Sequence, residues 1–238
     1  MVLGVQKLKL KNMEKQKSKT KPRILLSVIS NQSHWPVYFV DTLINLYDNT
    51  KKHFPIDLVI VNSCSIENMR NSSAIIALGK NPDKMVYDYF IQLDTDHLYP
   101  MDYIIKLMKH NKEFVVGLTN RRKPPYTTTQ FKKYKSKNIT DPKNTLGNED
   151  IGLVKIESTG VMGALMKTSI LKKIKWPFFN DIYFNNDYLK EGIKRRGSDV
   201  EFTKKLTKAG VELYCDTSIT FPHEVTVHID RGKIKPYL

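Results

Sequence analysis

The sequence predicts an α/β domain with a mostly parallel central sheet flanked by helices. Two observations carry this. Short apolar runs of strand length alternate with longer stretches in which apolar residues recur at i, i+3, i+4 and i+7, the spacing of a helix with one buried face. The runs are continuous rather than alternating, "ILLSVIS" and "FVVGL" for example, as expected of strands covered on both faces. At 238 residues the chain can build one large domain with a substantial core.

From Arg23 the elements follow in order. "ILLSVIS" is a first buried strand, and Pro36 then opens a helix whose Val40, Leu43, Ile44 and Tyr47 form an apolar face. "IDLVIV" is the second strand. Arg70 to Gly79 makes a short helix ended by glycine, and "VYDYFIQL" is the strand that delivers Asp94 and Asp96. Met101, Ile104, Ile105 and Met108 repeat the helical spacing before "FVVGL". Residues 120 to 152, with Pro124, Pro125 and Pro142, break the rhythm, and connections of that length are functional or unstructured. Order returns with "LVKIESTGVMGALM", "SILKKI" and the aromatic cluster "WPFF" at 176 to 179. Phe202, Leu206 and Ala209 then share a helix face, and Gly210 stops that helix before a last strand. No internal repeat is visible.

Charge is uneven. The net +15 is held almost entirely by residues 1–23 and by "RRKPPYTTTQFKKYKSK" at 121–137, each carrying +7, so the rest is nearly neutral. A tail rich in Lys, Gln and Ser does not bury enough surface to fold alone, which sets residues 1–22 apart as a basic tail. It is a solvated tail or a contact for anionic surfaces. No run of 18 apolar residues occurs, and the amino terminus lacks the apolar stretch of a secretory signal, so no transmembrane segment is expected. Cys64 and Cys215 both lie in strand-like stretches, which fits buried thiols in a reducing, cytoplasmic setting and excludes a zinc site.

The stretch "YFIQLDTDHLYP" places two carboxylates one residue apart where a buried strand ends. Aspartates there form a turn, or, at the carboxyl edge of an α/β sheet where ligands bind, they hold a divalent cation shared with phosphates. The working expectation is a nucleotide site.

The order of pieces adds to this. An early strand, "NMRNSSAIIAL", "LDTD", a Gly-containing strand before an aromatic cluster, "SDVEF" on a helix and a late His together resemble an inverting GT-A glycosyltransferase, close to glycosyltransferase family 2. The resemblance covers about residues 23–225. It implies a single GT-A domain over 23–238, with a nucleotide-binding half at about 23–118 and an acceptor half at about 153–225. It further implies that Asp96 ligates Mn²⁺ or Mg²⁺, that Asp94 contacts ribose or sugar, and that His223 completes the metal site, with His97 and His228 left out. Arg70 and Asn71 would reach the nucleotide or brace the aspartates. Asp199 matches the catalytic base, although Ser198 stands where the family has Glu, which leaves Glu201 as a substitute. Gly160 allows close approach under the sugars. Trp176, Phe178 and Phe179 would stack on sugar rings or fill the core, and Arg121, Arg122 and Lys123 would clamp the diphosphate or remain a solvated loop.

The activity so implied is metal-dependent transfer of a sugar from a nucleotide-sugar, UDP-sugar by default and GDP or dTDP otherwise, to a hydroxyl on a glycan, lipid-linked or other acceptor. A sugar-phosphate nucleotidyltransferase is the nearest rival, but "SNQSHWP" after the first strand lacks the glycines that class carries there. Nonspecific nucleic-acid binding is the non-catalytic rival. With 32 lysines against seven arginines, bidentate base reading gains no support. A peripheral contact of the basic segments with a membrane or an anionic acceptor is compatible with the leading expectation.

Overall fold

The computed structural model describes residues 21–63, 65–122, 124, 126–133, 142–183, 195–225, 227–230 and 233–236. Nearly all of the basic tail, Cys64, Lys123 and residues 134–137 of the second basic stretch lie outside the described residues. Eleven strands are described: β1 (Ile24–Ile29), β2 (Ile56–Val61), β3 (Tyr89–Asp94), β4 (Phe114–Leu118), β5 (Leu153–Ile156), β6 (Leu165–Lys167), β7 (Ile182–Tyr183), β8 (Arg195–Arg196), β9 (Leu213–Thr220), β10 (Val227–Asp230) and β11 (Lys233–Pro236). Seven form one sheet in the order β2-β1-β3-β6-β4-β9-β5, while β7 pairs with β8 and β10 with β11.

The sheet is mixed. β1 is parallel to β2 and β3, and β4 to β9, whereas β6 runs against β3 and β4, and β5 against β9. Five strands thus share one direction and two oppose it. The reversal at β6 has a local cause: Gly163 adopts φ +68, donates its N–H to the Gln92 carbonyl at 2.8 Å and turns the chain back along β3. Glu157 to Ala164 is therefore irregular, and the stretch "LVKIESTGVMGALM" divides into β5 before it and β6 after it, both in the sheet.

Among the described residues four α-helices cover the faces: α1 (Val37–Lys51), α2 (Ile66–Ala77), α3 (Tyr103–Lys109) and α4 (Ser198–Lys208). The sequence places α1 correctly and its face wrongly. Phe39, Leu43, Leu46 and Thr50 are buried, while Val40 and Ile44 are 37% and 55% exposed. Trp35, bonded through Nε1 to the Ser30 hydroxyl at 3.1 Å, packs edge-on against Phe39 and selects which of two adjacent apolar stripes meets the sheet. α2 begins four residues before its predicted start, because Ser65 caps it by accepting a hydrogen bond from the Asn68 N–H. Arg70 and Asn71 consequently sit in its second turn, turned into the protein, rather than at an exposed helix start. α3 buries Tyr103, Ile104 and Leu107, and Met101 lies exposed ahead of it. α4 follows the prediction, with Phe202 and Leu206 buried and Gly210 at φ +80 ending it.

Among the described residues no helix is long and apolar enough to cross a membrane. The α1 assignment gives a direct check by urea denaturation. Leu43→Ala is expected to cost about 2–5 kcal/mol as a buried truncation, and Ile44→Ala under about 1 kcal/mol as a surface change; equal losses would restore the predicted face.

Candidate functional site

The order β2-β1-β3 means that the chain leaves β1 in one direction for β2 and returns past it to β3. Such a reversal opens a crevice at the carboxyl ends of the strands, here between β1 and β3. A cleft of about 680 Å³ lies there, lined by Ser30, Asn31 and Gln32 after β1, by Arg70 of α2, by Asp94, Thr95 and Asp96 after β3, and by Arg122 and Glu224. Parallel register sets Ile29 opposite Asp94, so both strands end at the same level. The Thr95 hydroxyl donates to Gln32 Oε1 at 3.1 Å and ties the two loops together.

Asp94 and Asp96 point to different partners. Both oxygens of Asp94 accept from the one nitrogen Arg70 Nη2, Oδ2 at 2.9 Å and Oδ1 at 3.1 Å, a charge-assisted pair. Gln92 completes the arrangement, accepting from Arg70 Nη1 at 3.3 Å and donating to the Arg70 carbonyl at 2.9 Å. The Tyr99 hydroxyl accepts from the Asp94 N–H and donates to its carbonyl, both at 3.1 Å, which fixes the strand end itself. Arg70 is 4% exposed. Burial works against its charge, and the fields of Asp94 and then Asp199 more than restore it, so its pKa is raised. Asp199, at the start of α4, feels the same guanidinium. Burial raises its carboxyl above the ordinary range, and Arg70 only partly opposes this.

Asp96 meets two imidazoles. His97 Nδ1 lies 2.7 Å from Asp96 Oδ1, His223 Nε2 lies 3.3 Å from Oδ2, and the two rings stack with centroids 4.0 Å apart. Burial alone would raise the Asp96 carboxyl, but His223 and His97 outweigh it and hold it far below the usual carboxylate range. Arg122 Nη1 stands 3.2 Å from Oδ2. Glu224 accepts a short hydrogen bond from the Tyr38 hydroxyl at the cleft rim. One carboxylate oxygen and one nitrogen from each imidazole all lie within 4.8 Å of one another. His223 Nδ1 is 3.0 Å from the Asn120 carbonyl, which can only accept, so Nδ1 carries a proton and Nε2 is the nitrogen that faces Asp96, a donor on the imidazolium and a ligand on the neutral ring. With the ring neutral, the Nε2 lone pair and the Asp96 carboxylate fit a divalent cation between them.

The remaining predicted residues divide. Asn71 does not reach the cleft: its amide clamps the Phe179 backbone, donating to the carbonyl at 2.8 Å and accepting from the N–H at 3.0 Å. Phe179 stacks on Phe202 of α4 with centroids 4.1 Å apart, and Lys205 donates to the Pro177 carbonyl at 2.8 Å. Asn71 thus helps seat the helix that carries Asp199. Gly160 lies against that carboxylate, since a Cβ there would stand 3.2 Å from Asp199 Oδ2 and 2.6 Å from Met162 Cε. Phe178 and Phe179 are core residues, so neither offers a face to a sugar, whereas Trp176 is 58% exposed. Ser198 is buried beside Asp199, and Glu201 is buried further along α4, where its charge acts on Lys205. Arg122 lines the cleft, while Arg121 lies over the Phe131 ring at 5.6 Å. His97, Gln92 and Tyr99 are the residues that the sequence reading misses.

No protein-family model matches the chain, and no curated protein matches it in sequence. Among solved structures, the crystal structure of A197 from STIV is similar, with a TM-score of 0.56 at 17% identity over 89% of this chain and 92% of that one. At that identity the likeness is one of fold.

The raised Asp199 carboxyl has a measurable consequence. The folded protein holds this proton more tightly than the unfolded chain, so the ionised form weighs against folding above the unfolded value of about 3.9 and not below it. Asp199→Asn is expected to raise the melting temperature at pH 7 by a few degrees, with the gain shrinking as pH falls toward 4. A melting temperature lowered at pH 7 would contradict the buried, destabilising charge. Asn71→Ala, which strands two buried backbone groups, is expected to cost about 2–4 kcal/mol in the same assay.

Proposed function

We propose that this chain is a metal-dependent inverting glycosyltransferase of the GT-A type, moving a sugar from a nucleotide-sugar, UDP-sugar first, to an acceptor hydroxyl. One observation carries the reading: at the carboxyl edge between β1 and β3, a buried Arg70 is shared by Asp94 and Asp199, beside an Asp96–His223 pair that fits a divalent cation. The cleft of about 680 Å³ is of the size ligand sites take. The similarity of fold to A197 from STIV adds no activity to this reading.

The roles follow from each residue's surroundings. Asp199 takes the proton from the acceptor hydroxyl, and its raised pKa brings it toward the neutral range in which a general base works best. The hydroxyl oxygen bonds to the anomeric carbon as the bond to the diphosphate breaks, and the diphosphate leaves with the electron pair, inverting the centre. Asp96 and His223 would hold Mn²⁺ or Mg²⁺, which when bound opposes the charge gathering on the leaving group. Arg122, 59% exposed and 3.2 Å from Asp96, is free to trade that carboxylate for a diphosphate oxygen. Arg70 holds the Asp94 carboxylate in place at the cleft edge, where the donor would meet it. Gly160 leaves room for the acceptor beside Asp199.

The rival reading as a nucleic-acid binder draws no support from the described basic residues of 121–133. Arg122 faces Asp96, Arg121 lies over Phe131, and Lys132 bonds Asp150 at 2.8 Å and Glu149 at 3.2 Å, so three of these four cations are answered within the fold and Lys133 is exposed. A glycan, a lipid-linked sugar or another hydroxyl compound remains the acceptor class, and a peripheral anionic surface is compatible with the basic tail.

The test is a panel of UDP-, GDP- and dTDP-sugars incubated with Mn²⁺, scored by release of the nucleoside diphosphate and by NMR of the anomeric product. One donor is expected to turn over with inversion. Asp199→Ala is expected to cut the rate by about 10²–10⁴-fold while leaving nucleotide affinity within about twofold. Retained configuration, or an Asp199→Ala variant as fast as the wild type, would overturn the assignment.

A further inference from the structure

The Asp96 cluster contains one donor more than the reading above employs. His97 is 1% exposed, yet neither of its ring nitrogens has a hydrogen-bond partner among the described residues, and Asp96 Oδ1 is likewise unmet. The 2.7 Å approach of His97 Nδ1 to Oδ1 therefore lacks the angle of a hydrogen bond. Buried polar atoms are almost always satisfied, and leaving several together unmet is costly. On the other side of the same carboxylate, His223 commits Nδ1–H to the Asn120 carbonyl at 3.0 Å, which leaves Nε2, 3.3 Å from Oδ2, as its one nitrogen for a shared ion. The two rings stack at 4.0 Å and 25°, an arrangement that two protonated imidazoles would resist. A single cation at the meeting point of one nitrogen from each ring and the carboxylate answers Asp96 Oδ1, one His97 nitrogen and His223 Nε2 together.

We propose that Asp96, His97 and His223 form a three-ligand site that holds a first-row transition-metal ion without any nucleotide and discriminates against Mg²⁺. The inference rests on the reading of Asp96 and His223 as the metal pair and adds His97 as a ligand. Two imidazoles and one carboxylate suit Mn²⁺, Co²⁺ and their neighbours, whereas Mg²⁺ prefers oxygen and keeps most of its water. Three protein ligands also change the order of events. A site with one carboxylate acquires its ion together with the diphosphate, but this one is loaded first and stays loaded when the nucleotide leaves. His97 is placed for this by the antiparallel bridge between His97 and His223, which brings the β3 end and the β9 end together. The Asn120 carbonyl orients His223 from behind, as outer partners of metal-bound imidazoles do.

The experiment is calorimetric titration of metal-stripped protein with MnCl₂, CoCl₂ and MgCl₂, each in the absence of nucleotide. One Mn²⁺ or Co²⁺ per chain is expected, with Mg²⁺ at least about 100-fold weaker, and His97→Gln is expected to weaken Co²⁺ at least about tenfold. Pulsed EPR of the Mn²⁺-loaded wild type, which needs no variant to fold, is expected to show two coupled imidazole nitrogens. Mg²⁺ binding as tight as Mn²⁺, no binding before nucleotide is added, or a single coupled nitrogen would each overturn the proposal. Metal binding with two nitrogens but no response to any nucleoside diphosphate would uphold this site and remove the transferase reading instead.

Discussion

The site depends on one buried charge. The Arg70 guanidinium, 4% exposed, has no stable place in this fold unless anions surround it, because an unpaired charge at that depth is far costlier than a paired one. Asp94 supplies the ion-pair partner, Gln92 a further acceptor, and Asp199 a second negative field. The guanidinium therefore joins α2, the end of β3 and the start of α4, three elements far apart in sequence. Without it, Asp94 and Asp199 would repel each other and the sheet edge would lose its anchor. Asn71, the next residue, works in the same direction through backbone, holding the 177–180 segment on which α4 rests.

Topology decides where this happens. Because β1 lies between β2 and β3, the loops after β1 and β3 diverge and leave a cleft at their shared edge. Asp94 is the last residue of β3 and Asp96 lies in the turn that follows, so the same-face rule for alternate strand residues no longer holds and the two carboxylates diverge. Asp94 turns to the interior and Arg70, and Asp96 turns to the histidines and Arg122. One short segment thus serves two purposes, bracing the fold and presenting a ligand. The strain of this arrangement is electrostatic: burial raises the Asp199 carboxyl, while the imidazoles beside Asp96 hold that one low.

Much of this was legible in the sequence. "IDLVIV" and "FVVGL" form strands over the residues quoted, since continuous apolar runs bounded by polar residues have few other uses. The end of α4 at Gly210 was equally plain. The buried face of α1 was not, because periodicity alone does not choose between adjacent stripes, and the choice is made by Trp35 on Phe39. The start of α2 was misplaced because the cap at Ser65 was passed over, which made Arg70 and Asn71 look like helix-start residues when they are interior ones. Phe178 and Phe179 could be read as sugar platforms only until their packing was known. His97 escaped for a different reason: next to a DxD it looks like one more polar turn residue, and its burial is created by His223, far along the chain. The adjacency of Asp96 and His97 was the one available signal.

The most direct measurement is calorimetry of UDP, GDP and dTDP into the protein with and without Mn²⁺, on the wild type and on Asp96→Ala. The account predicts that one nucleotide binds the Mn²⁺-loaded wild type and that Asp96→Ala abolishes this binding. Failure of every nucleotide to bind, or equal binding by the variant, would contradict it.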